Sequence, residues 1–429
     1  MEMLYQYMWR YGLFGRNLPL VGGGRVRVVN PGILNLDSGP DFFNARLDFG
    51  DGVWAGNIEI HVKASDWYRH GHDSDRAYDS VLLHVVGIND REVSDGAGKP
   101  IPTVEVRIPQ EVCMTYAELC SDRKGVRCQS RLHEIPELEV KNWADTLAIE
   151  RIQQKATRVS NLLDATGGDW ERAAFVTLAR GLGFGLNAEP MEQLARSVQG
   201  NHLGRHSDNL HQLEAILFGQ AGMLDPGIHQ EDAYYRLLCR EYGFLSRKYS
   251  LRPIGREAWK YSRTRPGNFP PRRIALLART LYGGLRLMNR LLETEGDQER
   301  LEDLFGWELE GYWRRHGAFG EEEREDLSQT LGKPSRRLLM INVAAPILYA
   351  YGAIHDDISL MDKVISLLES LPPERNSIIA QWSAGGIKSA DAMRSQAMLH
   401  LRKEYCDRGR CNECRYAYSL MKRGVAGRL

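Results

Sequence analysis

Several features that define whole classes of proteins are missing from this sequence of 429 residues. No apolar run approaches the roughly 20 residues needed to cross a bilayer, so the sequence predicts no membrane span. Lys and Arg together number 56, and so do Asp and Glu, so net charge indicates no anionic partner. The N-terminal residues lack the basic region and small-residue cleavage site of a signal peptide, so we expect a cytoplasmic protein.

Cysteine is also scarce. Seven cysteines in a reducing compartment indicate buried thiols or metal ligands rather than a disulfide framework. A composition of 43% apolar and 26% charged residues is typical of a soluble globular protein. The length exceeds that of one ordinary hydrophobic core, so two or more domains are expected.

The N-terminal third of the chain has the pattern of a β-sheet preceded by a short helix. The apolar spacing of Leu4, Met8 and Tyr11 predicts the helix, and alternation of apolar and polar residues predicts the strands. The turn Gly50-Asp51-Gly52 joins two of these strands in a hairpin. The predicted strands are Arg25–Val29, Phe42–Phe49, Val53–Lys63, Val81–Val86 and Thr103–Ile108.

From about Glu137 onward the apolar spacing becomes helical. We therefore predict an α+β protein, with a small mixed-sheet domain over residues 1–130 and a larger all-α domain over 131–429. The predicted helices are Trp143–Leu163, Trp170–Gly181, Met191–Ser197, Leu210–Phe218, Asp232–Tyr242, Arg272–Glu295, Arg336–Tyr351 and Met361–Leu371.

Acidic and basic residues share one face of a predicted strand. Because side chains alternate along a strand, Glu59, His61 and Lys63 point to one side, opposite an apolar set that can face the core. Asp41 begins the neighbouring arm of the hairpin, so Asp41 and Glu59 could hold one Mg²⁺ or Mn²⁺ through their carboxylates. His61 or Lys63 could then stabilise developing charge. The alternative is a strand face with ordinary solvated charges.

Histidines follow closely in the sequence. His84 interrupts an apolar strand, and its burial requires a polar partner, either a metal ion or, in a purely structural role, Asp66 or a backbone carbonyl. His70 and His72 form a His-x-His pair in a Gly- and Asp-containing loop, which suits metal coordination or phosphate contact. Surface histidines without a function are the alternative for this pair.

The order of these elements resembles that of the PD-(D/E)XK nuclease superfamily. A helix, a strand, a hairpin with Pro40-Asp41 on one arm and Glu59-x-His61 on the other, a crossover and a further strand follow in that order. The resemblance implies a metal-dependent nuclease in which Asp41 and Glu59 bind the ion. His61 stands where the superfamily pattern has lysine, and Lys63 lies one pleat further along.

Arginines are concentrated between Tyr261 and Arg273. Arg263, Arg265, Arg272 and Arg273 are candidates for contact with the phosphates of a nucleic acid, because the guanidinium group pairs with phosphate in a bidentate manner. The alternative is that these arginines pair with acidic residues of the helical domain.

The C-terminal region carries three closely spaced cysteines. Cys406, Cys411 and Cys414 have the spacing of a structural Zn²⁺ or Fe–S site, which requires a fourth ligand. His400, Cys120 and Cys128 are the candidates for that ligand. Buried or free thiols are the alternative.

Over nearly its full length the sequence is similar to an uncharacterised bacterial family that carries a domain-of-unknown-function label and is common in Bacteroidetes. The resemblance brings no activity with it. The matching segments are 30–32, 37–42, 54–61, 65–67, 70–72, 81–86, 213–224, 265–270 and the terminal Tyr405, Cys406, Cys411 and Cys414.

The pattern as a whole favours a divalent-metal-dependent nuclease that acts on DNA or RNA. Two other functions remain open on the sequence. One is a non-catalytic module that binds nucleic acid or protein. The other is a hydrolase of small molecules that uses a metal held by His61, His70, His72 and His84.

Overall fold

The structure is a computed structural model that describes all residues except 122–124, 226, 228, 230–231, 263, 285 and 427–429. The chain forms two compact units. The first comprises Met1–Trp143, Gln381–Ile387 and Leu401–Leu429, and the second comprises Ala144–Ala380 and Lys388–His400. The predicted boundary near residue 130 lies within the residue range of the first unit, which also includes the C-terminal cysteine segment.

The first unit contains a mixed β-sheet, as the sequence predicts. Strands β1, β2, β4 and β5 pair antiparallel in that order, β6 and β7 add parallel to β5, and β3 pairs with β4. The strands are β1 Asn17–Pro19, β2 Arg25–Asn30, β3 Ile33–Leu34, β4 Phe42–Asp48, β5 Val53–Lys63, β6 Val81–Ile88 and β7 Thr103–Glu105.

Helix α1 (Glu2–Arg10) precedes the sheet, α2 (Asp66–Arg69) lies in the β5–β6 crossover, and α3 (Gln110–Leu119) follows β7. One face of β5 and β6 packs Ile58, Ile60, Leu83 and Val85 into an apolar core with α1. The opposite face contacts a second apolar cluster around Trp67 and Tyr78. Alternation along β5 therefore directs Glu59 and His61 away from the main core.

The remaining helices confirm the larger helical region. Helix α4 (Glu137–Ala165) begins in the first unit and continues into the second. The second unit and the C-terminal segment contain α5 Trp170–Leu182, α6 Ala188–Ser197, α7 Gly200–Gly204, α8 Leu210–Gln220, α9 Ala233–Tyr249, α10 Pro270–Leu281, α11 Leu287–Thr294, α12 Gln298–Leu304, α13 Lys333–Leu339, α14 Ala345–Ile354, α15 Ile358–Ser370, α16 Ser377–Ala384, α17 Ala392–His400 and α18 Arg415–Ala426, with a small hairpin of β8 His316–Ala318 and β9 Glu321–Glu322.

Two helical segments differ from the sequence prediction. The single helix predicted over Arg272–Glu295 is two helices, because Gly283 and Gly284 adopt positive φ angles of 86° and 77° that end α10. In the other segment, a π-helical turn, Met340–Ala344, joins α13 to α14 in one run over Lys333–Ile354. By length and composition this run could cross a membrane, but 67% of its apolar window is buried, as in a core helix.

Candidate metal centre

The hairpin of β4 and β5 brings Asp41 and Glu59 together. Phe42 pairs with Ile58, so the residues on either side of this pair are neighbours across the strands. The Asp41 backbone N–H donates to Glu59 Oε2 at 3.0 Å, and the Ile60 N–H donates to Asp41 Oδ2 at 3.0 Å. Each carboxylate thus binds the backbone of the opposite strand, which fixes its position.

The carboxyl group of Asp41 is buried next to a second acid. Burial and, to a smaller extent, the nearby Glu59 carboxylate raise its pKa to about 8. Gln6 of α1 donates to Asp41 Oδ1 at 2.8 Å and partly offsets these effects. Two acids in this environment repel each other when both are ionised, and a bound cation would relieve that repulsion.

Two buried histidines come from the neighbouring parallel strands. His61 of β5 and His84 of β6 are 1% and 0% exposed, and His61 Nδ1 lies 2.8 Å from His84 Nε2. Burial, reinforced by adjacent imidazoles, lowers the pKa of His61 to about 2 and that of His84 to about 3. Both rings are therefore neutral. If His61 Nδ1–H donates to His84, His61 Nε2 presents its lone pair, which is the form that binds metals.

His70 and His72 complete a cluster with His61 and Glu59. His70 Nδ1 lies 3.2 Å from His61 Nε2. Glu59 Oε1 lies 3.5 Å from His61 Nε2 and 3.3 Å from His72 Nε2. The ligand atoms of the three histidines all lie within 4.8 Å of one another. An ion bound tetrahedrally at about 2.0–2.1 Å separates its ligands by about 3.3–3.4 Å, so the measured separations match those of one ion's ligands.

The short crossover between β5 and β6 holds the two loop histidines in place. The N–H groups of His70 and His72 donate to the carbonyls of Asp66 and Trp67 at 2.9 and 3.1 Å. Gly71 between them adopts a φ of 75°, which favours glycine. The His72 ring stacks on Tyr78 with centroids 3.8 Å apart. These contacts preorganise the imidazoles without any ion.

Glu2 is a neighbour of the cluster that no sequence pattern indicates. Burial raises the pKa of this α1 carboxyl, His70 lowers it, and Glu59 and Asp66 raise it, so its side chain is close to the cluster. Tyr78 also borders the cluster, and burial together with Glu59 and Asp41 raises its pKa to about 12. Helix α1 precedes β5 by several strands, so it contributes to the site only through tertiary packing.

In the part of the chain that the structure describes, Lys63 lies outside this cluster. Its side chain is exposed, and its charge lowers the pKa of Asp90. Within the described part of the chain, the His84 ring bonds neither to Asp66 nor to a backbone carbonyl: its Nε2 lies 2.8 Å from His61 Nδ1, and its Nδ1 has no hydrogen-bond partner. Asp66 instead pairs with Arg69 at 3.0 Å and accepts from the Lys63 N–H.

The candidate phosphate-binding arginines are not equivalent. Arg263 lies outside the described residues, and Arg265 is exposed. Arg272 is 1% exposed, and its guanidinium donates to the carbonyls of Trp313 and Ser328. Arg273 is partly buried, donates to Asn268 and lies over the ring of Phe184. Arg272 is thus occupied inside its unit, and the proposed nucleic-acid surface no longer includes it.

The C-terminal cysteines come together with a fourth thiol. Cys128, Cys406, Cys411 and Cys414 line one cavity in the first unit. Cys120 is exposed and does not line this cavity. His400 belongs to the second unit, where its Nε2 lies 3.3 Å from Glu150. Three residues were candidates for the fourth ligand, and Cys128 is the one that lies in the same cavity as Cys406, Cys411 and Cys414.

Comparison with known protein families agrees with the resemblance seen in the sequence. A family model described as a protein of unknown function (DUF2851) matches residues 2–377. The chain belongs to this family. The match includes the whole acid and histidine cluster and Cys128, and it ends before Cys406. No curated protein and no solved structure matches the chain.

Proposed function

We propose that this member of the DUF2851 family is a metal-dependent hydrolase that cleaves phosphodiester bonds in nucleic acid, with the ion held by Glu59, His61, His70 and His72. The observation that carries the proposal is the set of separations of 3.2, 3.3 and 3.5 Å between their ligand atoms. Three imidazoles whose ligand atoms lie within 4.8 Å of one another, two of them also next to the Glu59 carboxylate, favour one bound ion.

The ligand set changes the expected metal. Mg²⁺ prefers an all-oxygen environment, which the pair Asp41 and Glu59 alone would resemble. Imidazole nitrogen suits Zn²⁺, Fe²⁺ and other transition ions. We therefore expect Zn²⁺, Fe²⁺ or Mn²⁺ to bind more tightly than Mg²⁺.

The chain's own residues provide the rest of the chemistry. A bound ion would lower the pKa of a water to about 7 and polarise a phosphoryl oxygen. His84 faces Nδ1 of His61, which would leave His61 Nε2 available to hold the ion. Asp41, whose pKa of about 8 lies near neutrality, can hold or release a proton beside Glu59.

The order and pairing of the elements support a phosphodiester as the bond that is cleaved. Helix α1, the antiparallel strands β2, β4 and β5, the α2 crossover and the parallel strand β6 follow the order by which the sequence resembles the PD-(D/E)XK superfamily. Asp41 and Glu59 are adjacent in the hairpin, as that resemblance requires. His61 occupies the position of the superfamily's lysine, and in this proposal it binds the metal.

Metal binding and catalysis can be tested together. Metal-free protein is titrated with Zn²⁺, Mn²⁺, Fe²⁺ and Mg²⁺ by calorimetry, and cleavage of labelled single-stranded and duplex DNA and RNA is followed with each ion. Glu59→Gln and His72→Ala are expected to weaken transition-metal binding at least about tenfold and to abolish cleavage. His133→Ala, which changes an exposed histidine of the same unit, is the matched control and should retain both.

Lys63→Ala distinguishes a centre built on the histidines from one in which Lys63 serves as the lysine of the nuclease pattern. Because Lys63 is exposed and faces Asp90, we expect the variant to keep its activity. Loss of cleavage in Lys63→Ala with full activity in His72→Ala would overturn the histidine-based centre. Equal cleavage by wild type, Glu59→Gln and His72→Ala would mean that a contaminating nuclease is responsible.

A second candidate is a hydrolase of small molecules, favoured by the three imidazoles and by their enclosure under Trp67 and Tyr78. The generic substrates bis(p-nitrophenyl) phosphate and p-nitrophenyl acetate distinguish it from a nuclease. Turnover of either without cleavage of any nucleic acid would favour this candidate. Tight metal binding with no turnover at all would indicate a non-catalytic binding module.

A further inference from the structure

A second set of potential metal ligands lies in the same unit, outside the centre described above. Cys128 comes from the segment before α4, Cys406 ends the π-helical turn after α17, and Cys411 and Cys414 precede α18. All four thiols line one cavity, although Cys128 is far from the others in sequence. Cys128 and Cys414 are 8% exposed, and Cys406 and Cys411 are partly buried. Four cysteines around one enclosed space is the ligand number of a structural zinc or an iron–sulfur site.

The spacing of the sulfurs distinguishes between these two kinds of site. A zinc ion lies about 2.3 Å from each thiolate, which places its four sulfurs roughly 3.8 Å apart. Among the residues that the structure describes, these four sulfurs do not form a group whose members lie within 4.8 Å of one another, in contrast to the ligand atoms of the three histidines. Several metal atoms bridged by sulfide hold their thiolates further apart than a single ion does.

Hydrogen-bond donors face two of the thiols. Cys414 immediately precedes α18, and the backbone N–H groups of Tyr416 and Ala417 donate to its sulfur. Arg127 Nη1 donates to Cys411 Sγ at 4.0 Å. Hydrogen bonds to the sulfurs are among the features that tune iron–sulfur clusters.

From this geometry we infer that the protein binds an iron–sulfur cluster through Cys128, Cys406, Cys411 and Cys414. The cluster joins the C-terminal segment to the loop before α4 within the first unit. The site is independent of the proposed hydrolase centre, since it shares no residue with Glu59, His61, His70 or His72.

Wild-type protein decides whether the cluster exists. The full chain is purified without oxygen, or reconstituted with ferrous iron and sulfide, and then analysed for iron, zinc and acid-labile sulfide. We expect about two to four iron atoms per chain with a matching amount of sulfide, together with the visible charge-transfer absorption of thiolate-bound iron. Sulfide distinguishes this site from the histidine centre, because a single ion bound there carries none.

The variants decide which residues are the ligands. Cys128→Ser and Cys406→Ser should each lower the sulfide content at least about twofold and change the electron paramagnetic resonance spectrum of the reduced protein. Cys120→Ser, an exposed thiol of the same unit, and Cys239→Ser, from the second unit, should match wild type. Full sulfide content in Cys128→Ser would remove that residue from the ligand set.

Two results for the wild-type protein would overturn the inference. One zinc ion per chain bound in place of iron, retained in a Glu59→Gln His61→Ala background that lacks the histidine centre, would make the site a structural zinc site. The absence of sulfide after reconstitution would make the four cysteines ordinary buried thiols. Neither result would affect the hydrolase proposal, whose metal and ligands are measured separately.

Discussion

His61 is the residue on which the character of the first centre depends. A lysine at this position would carry its charge to the phosphate, whereas a neutral imidazole buried beside Glu59 offers a lone pair. Its burial of 99% is tolerated because both ring nitrogens have polar neighbours, His84 on one side and His70 with Glu59 on the other.

His84→Phe tests whether His84 acts through His61. Phenylalanine fills the buried space but removes the nitrogen that faces His61 Nδ1, so we expect metal affinity to fall by about 10- to 100-fold. His84→Gln, which can still hydrogen-bond, should recover part of this loss. Calorimetric titration of the metal-free proteins measures both. Equal affinity in His84→Phe and wild type would show that His84 is only a core residue.

Asp41→Asn tests the buried carboxyl through pH. In metal-free protein the pKa of Asp41 is about 8, against about 3.9 when unfolded, so the folded state binds this proton more tightly. The stability that results is fully present below the unfolded value and is lost as pH rises towards 8. Asparagine does not ionise, so the variant should gain roughly 2 kcal/mol relative to wild type between about pH 6 and pH 8.

Urea titrations in the presence of a chelator, at both pH values, measure this difference. His61 and His84 have lowered pKa values of about 2 and about 3, and they contribute stability that is lost as pH falls below about 6.5. Their contribution is common to both proteins and cancels in the difference between them. A difference between the two proteins that stays constant with pH would contradict the raised pKa of Asp41.

At the scale of elements, the position of Asp41 depends on how the short strand β3 meets β4. Gly32, just before β3, adopts a φ of 91°, and a Cβ there would lie 2.7 Å from the Phe43 carbonyl oxygen. The β3–β4 pairing, Ile33 with Phe43 and Leu34 with Phe42, fixes the chain directly beside Asp41. Glycine is therefore required both by backbone conformation and by close approach.

Gly32→Ala and Gly15→Ala separate these two requirements. Gly15 has a similar φ of 86°, but a Cβ there would meet no atom within 4 Å. Both variants carry the cost of a left-handed alanine, of the order of 1 kcal/mol, and only Gly32→Ala adds a clash with backbone, roughly 1–3 kcal/mol more. Urea denaturation measures the stability of both variants. Equal destabilisation would show that β3 moves to accommodate the added Cβ without loss of stability. Metal affinity should fall only in Gly32→Ala.

At the scale of the whole molecule, the first unit is assembled from segments at both ends of the chain. Helix α18 packs on α3, and at the closest approach a Cβ on Gly424 would lie 3.0 Å from Val112 Cγ2. Leu420 and Met421 are each 1% exposed. The C-terminal segment is thus part of the core of the unit that carries both candidate centres.

Leu420→Ala tests this dependence on the C-terminal helix. The substitution leaves a cavity in the packed core and should cost about 2–5 kcal/mol, whereas Lys422→Ala on the exposed side of the same helix should cost little. Because two units need not unfold together, hydrogen exchange is the suitable measurement. Amides of α3 should lose protection in Leu420→Ala only. Unchanged exchange in α3 would mean that α18 is dispensable for the unit.

The sequence by itself determined the α+β class, the first helix, the bounds of β2, β4, β5 and β6 to within a residue or two, and the neighbourhood of Asp41 and Glu59. These features follow from periodicity and from a two-arm hairpin, which are local properties. It also indicated which histidines and cysteines are candidate metal ligands. It did not distinguish an oxygen-ligated Mg²⁺ site from a histidine centre, because that depends on where the crossover folds His70 and His72.

Only the tertiary structure decided which of these residues lie next to one another. Cys128 joins Cys406, Cys411 and Cys414, His84 faces His61, Glu2 approaches the histidines, and Arg272 is buried away from any surface. Each of these outcomes links residues far apart in sequence or depends on burial, and no spacing along the chain encodes it. The location of the candidate residues was therefore a local property of the sequence, whereas their combination into two candidate centres arises from the packing of distant segments.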